Sequence, residues 1–82
     1  MPQTSKARRI TVEVVRKLRE ERLARHWSAY RLAKNSGVSQ QMIGYMEKGL
    51  RNPTLEILLR VAIALEIDLS AVLKRARRDV DR

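Results

Sequence analysis

The segment SGVSQQMIGYMEKG, residues 36–49, gathers the side chains best suited to reading another molecule: Gln40, Gln41, Gly44 and Tyr45. Glutamine sets a donor beside an acceptor on one planar amide. It therefore matches any edge that presents one of each, as adenine does in the DNA major groove. Glycine inside a helix costs about 1 kcal/mol against alanine, and the missing side chain lets a second surface approach the backbone. Apolar residues at helical spacing turn Ile43 and Met46 inward, which leaves Gln40, Gln41, Gly44, Tyr45 and Lys48 facing out. A helix needing only solubility would carry Lys and Glu there. Plain alternatives stand beside these readings: ordinary polar surface for the glutamines, tolerated drift for Gly44, and a ring packed on the helix below for Tyr45.

Other chemistries find little support. There is no cysteine, so no disulfide framework, thiolate cluster or cysteine nucleophile is expected. His26 is the single histidine and has no neighbouring carboxylate in the sequence, so no metal site is expected. Glu20 and Glu21 are adjacent on a predicted helix and diverge, the wrong geometry for an acid/base couple. No glycine-rich phosphate loop is present. The sequence predicts neither an enzyme nor a bound cofactor.

Charge narrows the partner. Eighteen Lys and Arg stand against nine acids in 82 residues, a net charge of +9. From Arg22 to Met46 there are four basic residues (Arg22, Arg25, Arg31, Lys34) and no acid, and the last nine residues add five more bases against two aspartates. Such a field favours a polyanion: nucleic acid, an anionic membrane surface or an acidic protein. No apolar run approaches the roughly 20 residues of a membrane span, and the N-terminal MPQTSKARR lacks the apolar centre of a signal peptide. A cytoplasmic protein is expected.

The elements that must hold these residues read as helices throughout, and no stretch alternates with period two. Residues 1–10 offer little to bury and are expected to form a flexible basic arm. Thr11 is the expected N-cap of a first helix, on which Val14, Leu18 and Arg22 share a face and which ends near His26. Ser28 caps a second, short helix that closes at Gly37, and Ser39 a third that closes at Gly49. RNPT forms a turn, Thr54 caps a fourth helix over LEILLRVAIAL, and Asp68 caps a fifth. Trp27 is expected in the core. Residues 11–74 thus form one all-α domain, with a basic tail over 75–82.

The short helix, glycine turn and second short helix are the informative unit. Counted from Ala29, a small residue (Ala33) falls fifth, Gly37 ninth, and Val38, Ile43 and Met46 tenth, fifteenth and eighteenth. A small fifth residue lets two helices cross closely, glycine makes the turn, and the apolar positions lock the pair. This pattern resembles the helix-turn-helix of the Cro and phage-repressor type, the Xre family. The likeness runs over about residues 11–74, through RLAKNSGVSQQMIGYMEKG, RNPTLEILLRVAIAL and DLSAVL. Two positions depart from it: Ser36 stands where an apolar residue is common, and Ala29 where several phage repressors carry a DNA-contacting glutamine.

The resemblance implies a five-helix, lambda-repressor-like domain that binds double-stranded DNA with the helix over 39–48 in the major groove. Base reading then falls to Gln40, Gln41 and Tyr45, with Gly44 allowing close backbone approach. Phosphates fall to Ser28, Arg31, Lys34, Ser39, Lys48, Arg51 and Asn52, which position the protein but carry little sequence information. The family's arginine–glutamate pair maps onto Arg22 and Glu47 as a structural tie between the first and third helices.

A two-fold operator asks for a dimer. The surplus of apolar residues late in the chain suggests a patch at Leu59, Ile63, Val72 and Ala76, a wide core face being the alternative. A transcription regulator, a repressor above all, is the function expected. The alternative is a DNA-binding antitoxin or an adaptor whose main task is docking a protein partner.

Overall fold

A computed structural model describes residues 2–82, with side chains from Ser5 onward. Met1 and the side chains of residues 2–4, part of the arm expected over residues 1–10, lie outside the described residues. The chain forms five helices: α1 (Pro2–Ala24), α2 (Ala29–Ser36), α3 (Gln40–Glu47), α4 (Leu55–Leu65) and α5 (Leu69–Asp81). No strand occurs among the described residues. α2 packs on α3 and α4, while α1 packs chiefly along α5 and also touches α3 and α4.

Local chemistry starts and stops the inner helices where expected. The hydroxyls of Ser28, Ser39 and Thr54 accept from the backbone N–H three residues on, and the Asp68 carboxylate accepts from Ser70. Each such cap is worth about 1 kcal/mol. Gly37 ends α2 at φ 74°, donating to the Ala33 carbonyl. A Cβ there would also lie 3.2 Å from Arg60 Nη1.

The ends of α1, α3 and α4 share one geometry. At each, a left-handed residue donates three residues back and its successor donates five back: His26 with Trp27, Gly49 with Leu50, and Glu66 with Ile67. These are Schellman closures. Only one of the three uses glycine; His26 and Glu66 hold φ 58° with a Cβ in place.

The core is a single cluster. Val14, Leu18, Leu32, Ile43, Val61, Leu65 and Val72 are its fully buried large side chains. Trp27 packs partly buried against it rather than inside it. Ser36, the unexpected polar residue at this depth, is satisfied locally: its hydroxyl donates to the Ala33 carbonyl and accepts from Val38 N–H at 3.2 Å.

Two boundaries differ from expectation. Thr11 does not cap α1 but lies inside it, its hydroxyl donating back to the Ala7 carbonyl at 3.0 Å. The helix extends upstream because α5 gives it something to pack on. Ile10 joins the core margin, Lys6 pairs with Asp81 at 2.7 Å, and Lys17 pairs with Asp79 at 2.6 Å. Those contacts hold the Asp79 and Asp81 carboxyls below their ordinary range. Residues 75–82 are likewise no appended tail: α5 continues to Asp81 with Ala76 wholly buried. Docking, not local propensity, sets both ends.

One buried ion pair ties the site-bearing half to α1. Arg22 Nε and Nη2 donate to the two carboxylate oxygens of Glu47 at 2.9 and 2.8 Å, and Nη1 donates to the Trp27 carbonyl at 2.6 Å. The two side chains are 9% and 10% exposed. The bidentate bond to Glu47 raises the Arg22 pKa above its already high ordinary value, so the guanidinium stays charged. Removing one partner strands the other charge, at about 3–5 kcal/mol. Glu47→Ala should therefore lower the denaturant midpoint by a large fraction of total stability, and a midpoint equal to the parent's would refute the buried clamp. Glu66→Gly should act oppositely, relieving about 1 kcal/mol of left-handed backbone strain and raising the Tm in a thermal melt by roughly 4–8 °C.

Candidate nucleic-acid interface

α3 presents its polar side at the surface because Ile43 and Met46 are buried against the rest of the domain. Gln40 and Gln41 are exposed in its first turn, directly after the Ser39 cap. Gly44 follows Gln40 by one turn, and nothing lies within 4 Å of where its Cβ would sit. No internal packing demands glycine here, and the space it leaves opens outward.

Tyr45 follows Gln41 by one turn and is partly buried. The Gln41 amide donates to its hydroxyl at 2.8 Å. The Arg51 guanidinium, from the turn after α3, lies 5.5 Å from the centre of the same ring. The expected outward tyrosine is thus held from two sides.

Arg31 is organised in a similar way, its guanidinium 4.7 Å from the centre of the Trp27 ring. Cation–π contacts of this kind leave the guanidinium hydrogens free for an anion. Ser28 and Ser39 use a lone pair for capping, accepting from Arg31 and Met42 N–H. Each hydroxyl hydrogen remains free to donate. Lys34, Lys48, Arg51 and Asn52 are exposed around the same surface.

Charge pairing divides the molecule. Lys6, Arg16, Lys17, Arg19, Arg22, Arg25 and Arg60 all make ion pairs within the domain. Among the described residues Arg31, Lys34, Lys48 and Arg51 make none, so their field points outward unneutralised. The free cations of α5 (Lys74, Arg75, Arg77, Arg78) ride on the helix that packs against α1 and α4. Arg22 and Glu47 take no place at the surface, as a structural pair should not.

One neighbour of this surface escapes a reading of the sequence. Arg8 Nη1 donates to Asn52 Oδ1 at 3.0 Å, bringing the N-terminal turns of α1 to the turn after α3. Only the basic character of residues 6–9 hinted at it, and that signal reads equally well as a loose arm.

The apolar patch is redrawn. Val72 and Ala76 are 2% and 0% exposed, so they belong to the core and not to an interface. α5 packs chiefly against α1 and also touches α4, with Val72 and Ala76 on its buried side. Leu59 and Ile63 are exposed at 41% and 72%, joined by Leu55 at 63%, and they line an apolar groove between α4 and α5. No helix is long and apolar enough to cross a membrane, and no cluster of metal-ligating residues occurs, among the described residues.

The Helix-turn-helix family model matches residues 18–72. In two strains of Mycobacterium tuberculosis, a relative called an uncharacterized HTH-type transcriptional regulator is 36% identical over 59 residues, covering 72% of this chain and 42% of its own. The HTH-type transcriptional regulator SutR of Escherichia coli K12 is 38% identical over 53 residues, 65% of this chain and 30% of its own. The chain thus spans less than half the length of these relatives. No solved structure matches it. With two short capped helices crossing at a glycine turn, inside five helices closed on one core, the chain belongs to the Xre-like helix-turn-helix family.

Proposed function

We propose that this chain is a sequence-specific regulator that reads double-stranded DNA with α3 in the major groove. The observation that carries the reading is the exposed Gln40–Gln41 pair on the capped end of α3, ringed by Arg31, Lys34, Lys48 and Arg51, which make no ion pair among the described residues. The amides supply direct base readout. The cations supply phosphate contacts that place the helix, aided by the Ser28 and Ser39 hydroxyls and by Asn52. Gly44 lets the α3 backbone come close to bases or sugar–phosphate. The relatives' names, transcriptional regulators of this family, agree with a role in controlling transcription.

A single helix-turn-helix covers about half an operator, so homodimerisation is part of the reading. The groove over Leu55, Leu59 and Ile63 is the surface best suited to self-association. Its lining is mostly apolar, whereas the α2–α3 side carries the exposed cations Arg31, Lys34 and Lys48, which would repel a second copy.

The first experiment is fluorescence anisotropy of labelled DNA fragments at physiological salt, each against scrambled competitor. The parent chain should prefer one fragment, and the Gln40→Ala/Gln41→Ala variant should lose that preference while retaining weak binding. Uniform binding by both proteins would reject base reading and direct attention to a protein partner. The logarithmic salt dependence should shallow by about 0.9 when Lys48→Ala removes one phosphate contact. Ile63→Asp should leave the fold intact but shift the sedimenting species to monomer; an unchanged dimer would move the interface elsewhere.

A further inference from the structure

We infer that Tyr45 is a positioning residue that sets the orientation of the Gln41 amide, and so makes Gln41 the more discriminating of the two glutamines. The inference rests on the proposed base-reading role of α3 and asks how that helix chooses between its two amides.

Two contacts link three residues at one edge of α3. Gln41 Nε2 donates to Tyr45 Oη at 2.8 Å, across the one-turn spacing that brings helical side chains together. The Tyr45 ring is partly buried and lies under the Arg51 guanidinium, 5.5 Å from its centre. Arg51 stands in the turn after α3, where it makes no ion pair among the described residues. A ring held in this way gives its hydroxyl a fixed place, and that hydroxyl fixes the amide.

The donor count leaves the amide competent. Its NH2 carries two hydrogens. One goes to Tyr45 Oη; the other, together with Oε1, remains for the two-point match to an adenine edge. The orientation held by Tyr45 is adopted before DNA arrives. A free glutamine loses considerable rotamer freedom when it docks, and ordering it in the unbound protein removes that loss from binding. Gln40 makes no side-chain hydrogen bond among the described residues, and the residue one turn on from it is Gly44, which has no side chain to offer. Gln40 can therefore adapt to several edges where Gln41 cannot. Two adjacent residues of one type acquire different tasks because their partners one turn along differ.

Tyr45→Phe isolates the claim, since it deletes the hydroxyl and keeps the ring beneath Arg51. Preferred duplexes would be selected from a randomised pool by the parent chain, Gln41→Ala, Gln40→Ala and Tyr45→Phe. Competition titrations, normalised to active protein, would then give the base preference at each position. Gln41→Ala should erase the preference at one position. Tyr45→Phe should weaken that same position by about 3- to 10-fold, the range expected for one lost hydrogen bond, with the salt slope and non-specific affinity unchanged. The position lost in Gln40→Ala should be the less stringent one in the parent.

If Gln41→Ala loses its position while Tyr45→Phe matches the parent there, the positioning role is wrong and the base-reading role stands. A preference lost by Tyr45→Phe at a different position would make Tyr45 a direct reader and overturn the inference too. If Gln41→Ala changes no preference at all, the base-reading role itself fails and the inference fails with it.

Discussion

The bidentate bond between Arg22 and Glu47 is the constraint on which the site depends. Three separate pieces of chain meet at one guanidinium: the last turns of α1, the carboxylate ending α3 and the Trp27 carbonyl before α2. The Arg22 backbone carbonyl also receives the Arg25 and Trp27 amides that close α1. Desolvating two charges is costly, and the pair survives burial because each carboxylate oxygen and each guanidinium nitrogen has a partner. The gain is angular. An α3 of eight residues, too short to be stable alone, has its far end pinned to the longest helix in the molecule while its apolar face sits in the core.

That arrangement explains the division of charge. Lys6, Arg16, Lys17, Arg19 and Arg22 of α1, with Arg25 just after it and Arg60 of α4, are paired at home with Glu13, Glu20, Glu21, Glu47, Glu56 and the aspartates of α5. The α2–α3 segment contains no acid before Glu47, and Glu47 is consumed by Arg22. Nothing local remains to quench Arg31, Lys34, Lys48 or Arg51. Two of these are braced by aromatic faces instead of carboxylates, which restricts their motion without cancelling their charge. A surface that retains both its field and its geometry is suited to meeting a polyanion with little reorganisation.

Legibility in the sequence tracked the range of the interactions. Ser28, Ser39, Thr54 and Asp68 cap the helices they were expected to cap, because a cap is decided within three residues. Gly37 and Gly49 mark turns for the same reason. His26 and Glu66 take left-handed φ with no glycine to announce it, since the geometry there is imposed by the Schellman bonds and by the packing of the next helix. Thr11 looked like a cap and is a mid-helix residue, because the stretch before it folds only against α5. Val72 and Ala76 looked surplus until α5 was laid against α1. Tyr45 offered two uses to a reader of the sequence, base contact or a ring packed on the helix below, and neither Gln41 nor Arg51 could be assigned to it from spacing alone.

Periodicity, caps, turn glycines and an acid-free basic segment determined by themselves that this chain is all-helical, contains a helix-turn-helix and turns two glutamines outward. Each of those signals is local, and local chemistry has few solutions. Which cations stay unpaired, where α1 begins, which apolar residues remain on the surface and which amide is held still were decided only by tertiary structure. Those properties depend on residues far apart in the chain, such as Lys17 with Asp79 and Arg8 with Asn52, whose meeting is settled by packing of the whole domain.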